Sequence, residues 1–312
     1  MCSSIRRASW SFVTDTALRP GPVTTRGTGR TRRPSRPSAG MLAVGAWVLL
    51  LVLAPNLLLI VYSVFTNKSG QASAQLTLDN YHAIATSNVT LLLLARSLLT
   101  SAAAAAIATV IAYPMALFVV RHLGRRRTLA VLLMVVPLWI SYLVRVYAWK
   151  IILGDNGVIN STLAALGVTN QPLSFLLYSR FAVLLTLTYV SIPFVFVTSY
   201  TALERVPTSL LEAAADTGAT PWRTLRHVIW PLSRQGAAIG FSLALLIGVG
   251  DYLTPALVGG LQGTMYGSLV VSQFGIANNW PLGAALSVVL LVLVGLLLAI
   301  VARLTRTAGH LE

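Results

Sequence analysis

Charge is what this sequence lacks most. Asp, Glu, Lys and Arg make up 10% of its 312 residues, where a water-soluble domain carries about a quarter. With 56% of residues hydrophobic and a mean hydropathy of +0.76, too few polar side chains remain to cover a water-facing surface. Lipid must therefore be the solvent for much of the chain. Cysteine is nearly missing as well: Cys2 stands alone in a polar stretch, which excludes a disulfide framework. The four histidines, His82, His122, His227 and His310, are scattered without metal-ligand spacing. No G-x-x-x-x-G-K-[ST] loop and no Ser/His/Asp constellation is evident, so the chain is expected to be no enzyme, to hold no cofactor or metal, and not to hydrolyse ATP itself. An ion-coupled secondary transporter is the main rival class. It would normally show internal repeats and intramembrane acids or broken helices for ion coupling, whereas one buried carboxylate and no convincing repeat are evident here.

Basic residues are present in excess, and their placement carries the information. The net charge is +15, yet Lys and Arg sit between long apolar runs rather than on one folded basic face, which argues against nucleic acid as a partner. Residues 1–40 are rich in Arg, Ser, Thr, Pro and Gly and read as a disordered tail. They lack the apolar core and cleavage site of a secretory signal, and Met41, at the edge of the first apolar run, is an alternative start. Six runs then reach the ~20 residues that cross a bilayer core, near 41–65, 91–120, 128–148, 181–203, 235–258 and 281–304. Residues 305–312 form a short second tail. Of the 23 basic residues, 18 fall in the first tail, after the second span, after the fourth span or at the C-terminal end. By the positive-inside rule both termini face the cytoplasm, which an even number of spans also requires. The expected fold is an all-α membrane protein of six transmembrane helices. The small-residue run Ser101 to Ala106 in the second span suits close helix–helix contact.

The segment 204–234 between the fourth and fifth spans is more than a connector. Ser209 and Glu212 have the S-x-x-E spacing of a capping box, which predicts a helix starting at Leu210. Gly218 is placed to end that helix in the left-handed conformation. Thr220 followed by Pro221 predicts a second short helix, ending near Pro231. Glu212 and Asp216 are four apart and share a face, and Ala213 and Ala214 leave a low profile that another protein surface can approach.

Glu212-Ala213-Ala214, Gly218, Val228 and Pro231 together resemble the EAA loop of binding-protein-dependent ABC importer permeases, whose pattern is E-A-A, three residues, G, nine residues, I, any residue, L-P. Val228 and Trp230 replace the usual isoleucine and leucine and stay apolar. The resemblance implies a type I importer fold over about 41–304, in the inner membrane of a bacterium. It also implies a coupling helix that docks on a separate ATPase through Glu212, Ala213, Ala214, Asp216 and Gly218. Implied partners are a second, C-type permease subunit, two ATPase subunits that bind ATP and Mg, and an extracytoplasmic solute-binding protein. Further segments narrow the branch: Leu76-Thr77-Leu78-Asp79-Asn80-Tyr81, Arg145-Val146-Tyr147-Ala148-Trp149-Lys150, Leu153-Gly154-Asp155-Asn156-Gly157, Gly250-Asp251-Tyr252-Leu253-Thr254-Pro255 and Gly259-Gly260. These are similar to the B-type permease subunits of spermidine/putrescine importers, a branch that also handles other small organic solutes.

Physical reading of the same residues is independent of the name. Asp251, in the outer half of the fifth span, is costly unless paired or facing water. It is either a pathway residue for an amine cation or half of an ion pair with Arg145 or Arg96. Tyr252, Arg145 and Trp149 complete the expected solute pathway. Trp149, Tyr147 and Tyr252 could stack on cationic groups or belong to an interfacial aromatic belt. Lys150 reads as an anchored, snorkelling side chain.

Overall fold

In the computed structural model, the described residues are 39–68, 71–169 and 171–306. The tail expected over 1–40 falls outside them up to residue 38, as does the end of the chain beyond residue 306. The chain divides into two units, the first ending at Leu51 and the second running from Val52 to Glu312. The described part of the first is the opening stretch of helix α1 (Ala39–Ser63), whose positions from Val44 to Leu51 are exposed.

Among the described residues five helices are long and apolar enough to cross a membrane: α1, α3 (Asn88–His122), α7 (Arg180–Glu204), the run 221–250 that includes α10 (Trp230–Gly250), and α12 (Trp280–Arg306). A further pair of segments, 124–139 with α4 (Arg127–Trp139) and 142–165 beginning with α5 (Tyr142–Leu153), passes the same test only when taken together. The sequence predicted one straight span over 128–148. Instead the chain turns by 93° between them. The turn falls at Ile140 (φ −77°, ψ 134°) and Ser141 (φ −50°, ψ 139°), which leave the helical region.

Small residues set the packing. The centre is a three-helix contact of α3, α7 and α10. On α3, Ala105, Ala108, Ala112 and Ala116 are fully buried, four residues or so apart along one stripe. On α10, a Cβ added at Gly236 would sit 2.7 Å from the Thr198 carbonyl oxygen of α7, and one at Gly240 would sit 2.9 Å from Val195 Cα. At Gly248 it would meet Ser101 of α3 at 2.8 Å. The backbones touch, which is how helices without a hydrophobic driving force gain dispersion contact. Of the small-residue run expected to mediate close contact, Ser101 to Ala106, Ser101, Ala102 and Ala105 lie in this seam, while Ala103 and Ala106 are exposed.

Shorter elements frame the core. A hairpin of β1 (Phe65–Lys68) and β2 (Gln71–Leu76) follows α1, a strand pair that an all-α reading missed. Helix α2 (Asp79–Thr86) is clipped to the end of α1: Asn80 Nδ2 donates to the carbonyls of Ser63 and Phe65, both at 2.9 Å, and Tyr81 and Ser63 share a 2.7 Å hydroxyl contact. After α5, the segment at Gly154–Gly157 turns tightly into α6 (Val158–Ala165), and Asn160 holds it by donating to the Gly154 carbonyl at 3.0 Å. Helix α11 (Tyr266–Phe274) packs on α12 and α3.

Candidate functional site

Two regions carry the residues singled out by sequence, one at each end of α10. The first is the connector between α7 and α10. Helix α8 (Thr208–Asp216) starts two residues before the predicted Leu210, after Pro207, and no side chain caps it. The capping box therefore does not form; Pro207, fixed in the extended region (φ −62°, ψ 136°), launches the helix instead. Its end is as predicted. Gly218 has φ +73°, its N–H donates to Ala215 at 2.8 Å, and Ala219 N–H reaches back to Ala214 at 3.0 Å. That is the Schellman arrangement, and it satisfies the last carbonyls of the helix.

Thr220 caps the next helix, α9 (Pro221–Thr224), by accepting from Arg223 N–H at 3.4 Å, with Pro221 in the first position. The predicted stop at Pro231 does not occur. A π turn over Leu225–Ile229, in which Trp230 N–H donates to the Leu225 carbonyl, carries the helix on into α10. Slipping the ladder by one residue just before Pro231 accommodates its missing N–H. Ser233 Oγ donates to Ile229 O at 2.7 Å, so the Tyr113 hydroxyl of α3 donates to Ser233 Oγ, also at 2.7 Å. The Trp230 ring meets Tyr113 edge-on at 5.2 Å.

No residue of α8 is buried. Leu211 and Leu225 rest against the central core, while Glu212, Ala213, Asp216 and Gly218 point outward and Ala214 is half-buried. Two large apolar side chains that sequence reasoning passed over are also uncovered: Leu210 at 44% and Trp222 at 68%. A tryptophan two residues after a helix cap, on a segment between two apolar spans, was the available signal. At the root of the connector Arg127 pairs with Glu204 at 3.3 Å.

The second region lies where α10 breaks. The fifth span was expected to continue to 258, but it ends at Gly250, and Asp251 is extended (φ −77°, ψ 126°). The Asp251 carboxylate is 7% exposed. Oδ1 accepts from the backbone N–H of Leu253 (2.8 Å) and Thr254 (3.2 Å), capping the turn that leads into a π segment over Pro255–Gly259. Oδ2 accepts from the Tyr142 hydroxyl at 2.5 Å, and Thr254 Oγ1 lies 2.8 Å from that hydroxyl. Among the described residues no ion pair joins Asp251 to Arg145 or Arg96. Arg96 donates instead to the Gln262 carbonyl at 3.2 Å, which Arg180 also engages at 3.2 Å. Tyr142 and Thr254 are the residues the sequence reading missed, because nothing in the pattern places α5 against the break in α10.

The rest of the expected pathway surrounds this network. Arg145 lies one turn along α5, 8% exposed, with its guanidinium carbon 5.6 Å from the centre of the Tyr142 ring. Trp149 meets Tyr189 edge-on at 5.4 Å. Tyr252 is 48% exposed. Lys150 Nζ lies over the rings of Tyr147 (5.8 Å) and Tyr178 (5.9 Å), so it is held by aromatics rather than merely extended.

Long apolar helices, one of them broken at a polar site, and an uncovered helix pair on a connector define a chain built to lie in a membrane. The comparisons give the family: residues 108–307 match the binding-protein-dependent transport system inner membrane component. Over 84% of its length the chain is 33% identical to the spermidine/putrescine transport system permease protein PotB of Haemophilus influenzae, covering 91% of that protein. PotB of Escherichia coli strain K12 is also 33% identical, with 85% and 96% covered. The chain is 32% identical to the inner membrane ABC transporter permease protein YdcU of the same strain, with 87% and 96% covered. A solved bacterial ABC transporter involved in import of the acidic polysaccharide alginate shares the fold at a TM-score of 0.69 and 15% identity, covering 86% of this chain and 94% of that one. This chain belongs to the binding-protein-dependent ABC importer permeases.

Proposed function

We propose that the chain is one of two membrane subunits of an ATP-driven importer of polyamines, spermidine or putrescine, in a bacterial inner membrane. The supporting observation for the solute is the 33% identity to PotB permeases over nearly the whole of those proteins. For the mechanism it is the uncovered helix α8, stiffened at its end by Gly218 and resting on the core through Leu211. The membrane domain spans 41–304, with the bent α4–α5 pair as its third crossing. Both tails, 1–40 and 305–312, and the segment 204–234 are on the cytoplasmic side, where the basic residues gather.

Glu212, Ala213, Ala214, Asp216 and Gly218, joined by Leu210 and Trp222, form the face that docks on a partner ATPase. Movement of α8 reaches the spans because α9, the π turn and α10 are one continuous rod, clasped to α3 by Tyr113 and Ser233. A C-type permease subunit completes the path, and a binding protein delivers solute from the other side. There Tyr252 and Trp149 offer rings to an alkylammonium. A carboxylate has about four acceptor sites, and Asp251 uses three of them, so one on Oδ2 is left for an amine.

The test is uptake of labelled putrescine and spermidine into vesicles holding the chain with its companion permease, ATPase and binding protein. Glu212→Lys and Gly218→Pro should each abolish ATP-dependent uptake. Uptake that survives both would refute the coupling role. No uptake of either amine by the intact assembly would refute the substrate, and wild-type uptake by Asp251→Asn would remove Asp251 from the pathway.

A further inference from the structure

A buried charge needs a partner, and among the described residues Arg145 has no carboxylate to pair with. Its side chain is 8% exposed, and neither Nε nor Nη1 finds an acceptor among the described residues. No described carboxylate forms an ion pair with it. Asp251, the acid of the same network, already receives the Tyr142 hydroxyl and two backbone N–H groups. The Tyr142 ring face supports the guanidinium but offers no lone pair to its N–H groups. Leaving a guanidinium in this state costs far more than an unmet neutral group, and the hydrocarbon of a bilayer supplies no acceptor.

The adjacent face of α5 is uncovered. Val144, Tyr147 and Ile151 follow one another at helical spacing and are 54%, 44% and 69% exposed. Tyr252, beside the capped Asp251, is 48% exposed. An apolar and aromatic face with a buried, donor-rich cation at its edge is complementary to a protein surface that carries one acid among apolar residues. It is not complementary to a polycation, since an uncompensated positive charge beside the solute route would repel the very molecule being carried.

We infer that Arg145 receives a carboxylate of the companion permease subunit, so that the α5 face around it is a subunit contact. This rests on the proposed function for the existence of that companion. Tyr142 is then a positioning residue, holding the guanidinium flat at the contact while its own hydroxyl ties α5 to the break in α10.

The experiment uses the full tagged chain co-expressed with its companion permease and ATPase, and Arg145→Met, which drops the charge and the donors but keeps much of the volume. Alone in detergent, Arg145→Met should unfold at the same or a higher temperature than wild type, because an uncompensated buried charge has been removed. In the assembly it should hold its companion roughly thirtyfold more weakly, the loss typical of truncating one member of a buried charged pair. Neutralising the membrane-segment acids of the companion singly (Asp→Asn, Glu→Gln) should reproduce that loss at one position, with no further loss when combined with Arg145→Met. Wild-type retention of the companion by Arg145→Met would overturn the inference, as would a loss that no companion acid reproduces. Intact assembly with an altered KM for solute would overturn it in favour of a solute contact. Failure of the wild-type chain to retain any companion would overturn the proposed function, and this inference with it.

Discussion

Tyr142 holds more of the structure than any residue the sequence marked. Its hydroxyl donates to Asp251 and lies against Thr254, while its ring carries the Arg145 guanidinium. Tyr142→Phe keeps the ring and deletes the hydroxyl, so it removes the hydrogen bond to the carboxylate together with the Thr254 contact. The expected loss is ~1.5–3 kcal/mol of stability, the range for a bond to a charged group. A fall in the thermal midpoint of the purified chain checks this, and an unchanged midpoint would mean the hydroxyl contributes nothing net. Gly218 is the other decisive residue, since φ +73° is a conformation that a Cβ disfavours. Gly218→Ala should cost ~1–2 kcal/mol locally and lower ATP-driven uptake. Gly218→Asn should do less harm, because asparagine tolerates the left-handed region. Equal uptake by the Ala and Asn variants would count against this conformational explanation.

Helix α10 is the element on which both regions depend. At one end it is continuous with the connector through a π turn, and at the other it stops at a capped aspartate. Between them Gly236 and Gly240 lie directly against α7, closer than any side chain permits. Gly240→Leu must therefore push α10 away from Val195 and Thr198. The expected cost is ~1–3 kcal/mol, as for other overpacked cores, with uptake falling along with stability. Leucine at Gly250, around whose Cβ position the structure is open, is the matched control and should change the thermal midpoint little. If the two substitutions behave alike, the close approach of α10 and α7 is not what holds the pair.

At the scale of the whole molecule, function depends on which way the chain faces. The proposed topology places α8 and α9 in the cytoplasm and the turns at Leu261 and Ile276 outside. These residues are 96% and 99% exposed, and Trp222 on the connector is 68% exposed. In a Cys2→Ser background, single cysteines at Leu261 and Ile276 should react in intact cells with a thiol reagent that cannot cross the inner membrane. A cysteine at Trp222 should react only after the cells are opened. The opposite pattern would invert the topology and remove α8 from reach of any cytoplasmic ATPase.

Much of this was legible in the residues themselves. Scarce charge and the apolar runs at 41–65, 91–120, 181–203 and 281–304 marked four long helices to within a few residues, because crossing a bilayer sets helix length directly, while the runs at 128–148 and 235–258 missed a bend and a break. Gly218, Thr220 and Pro221 announced their turn because their constraints are local: a positive φ, a side-chain acceptor, a missing N–H. What the residues could not announce depends on contacts between distant segments. The 93° turn between α4 and α5, the π turn that carries the chain past Pro231, and the tie from Tyr142 to Asp251 across 109 positions are of this kind. The aspartate is the clearest case. Its burial was expected, but whether it would meet an arginine, a solute or a backbone depended on where α5 lay. For the arginine the tertiary structure decided: with α5 set against the break at Gly250, the carboxylate accepts from the Tyr142 hydroxyl and from the N–H groups of Leu253 and Thr254, and no described arginine forms an ion pair with it.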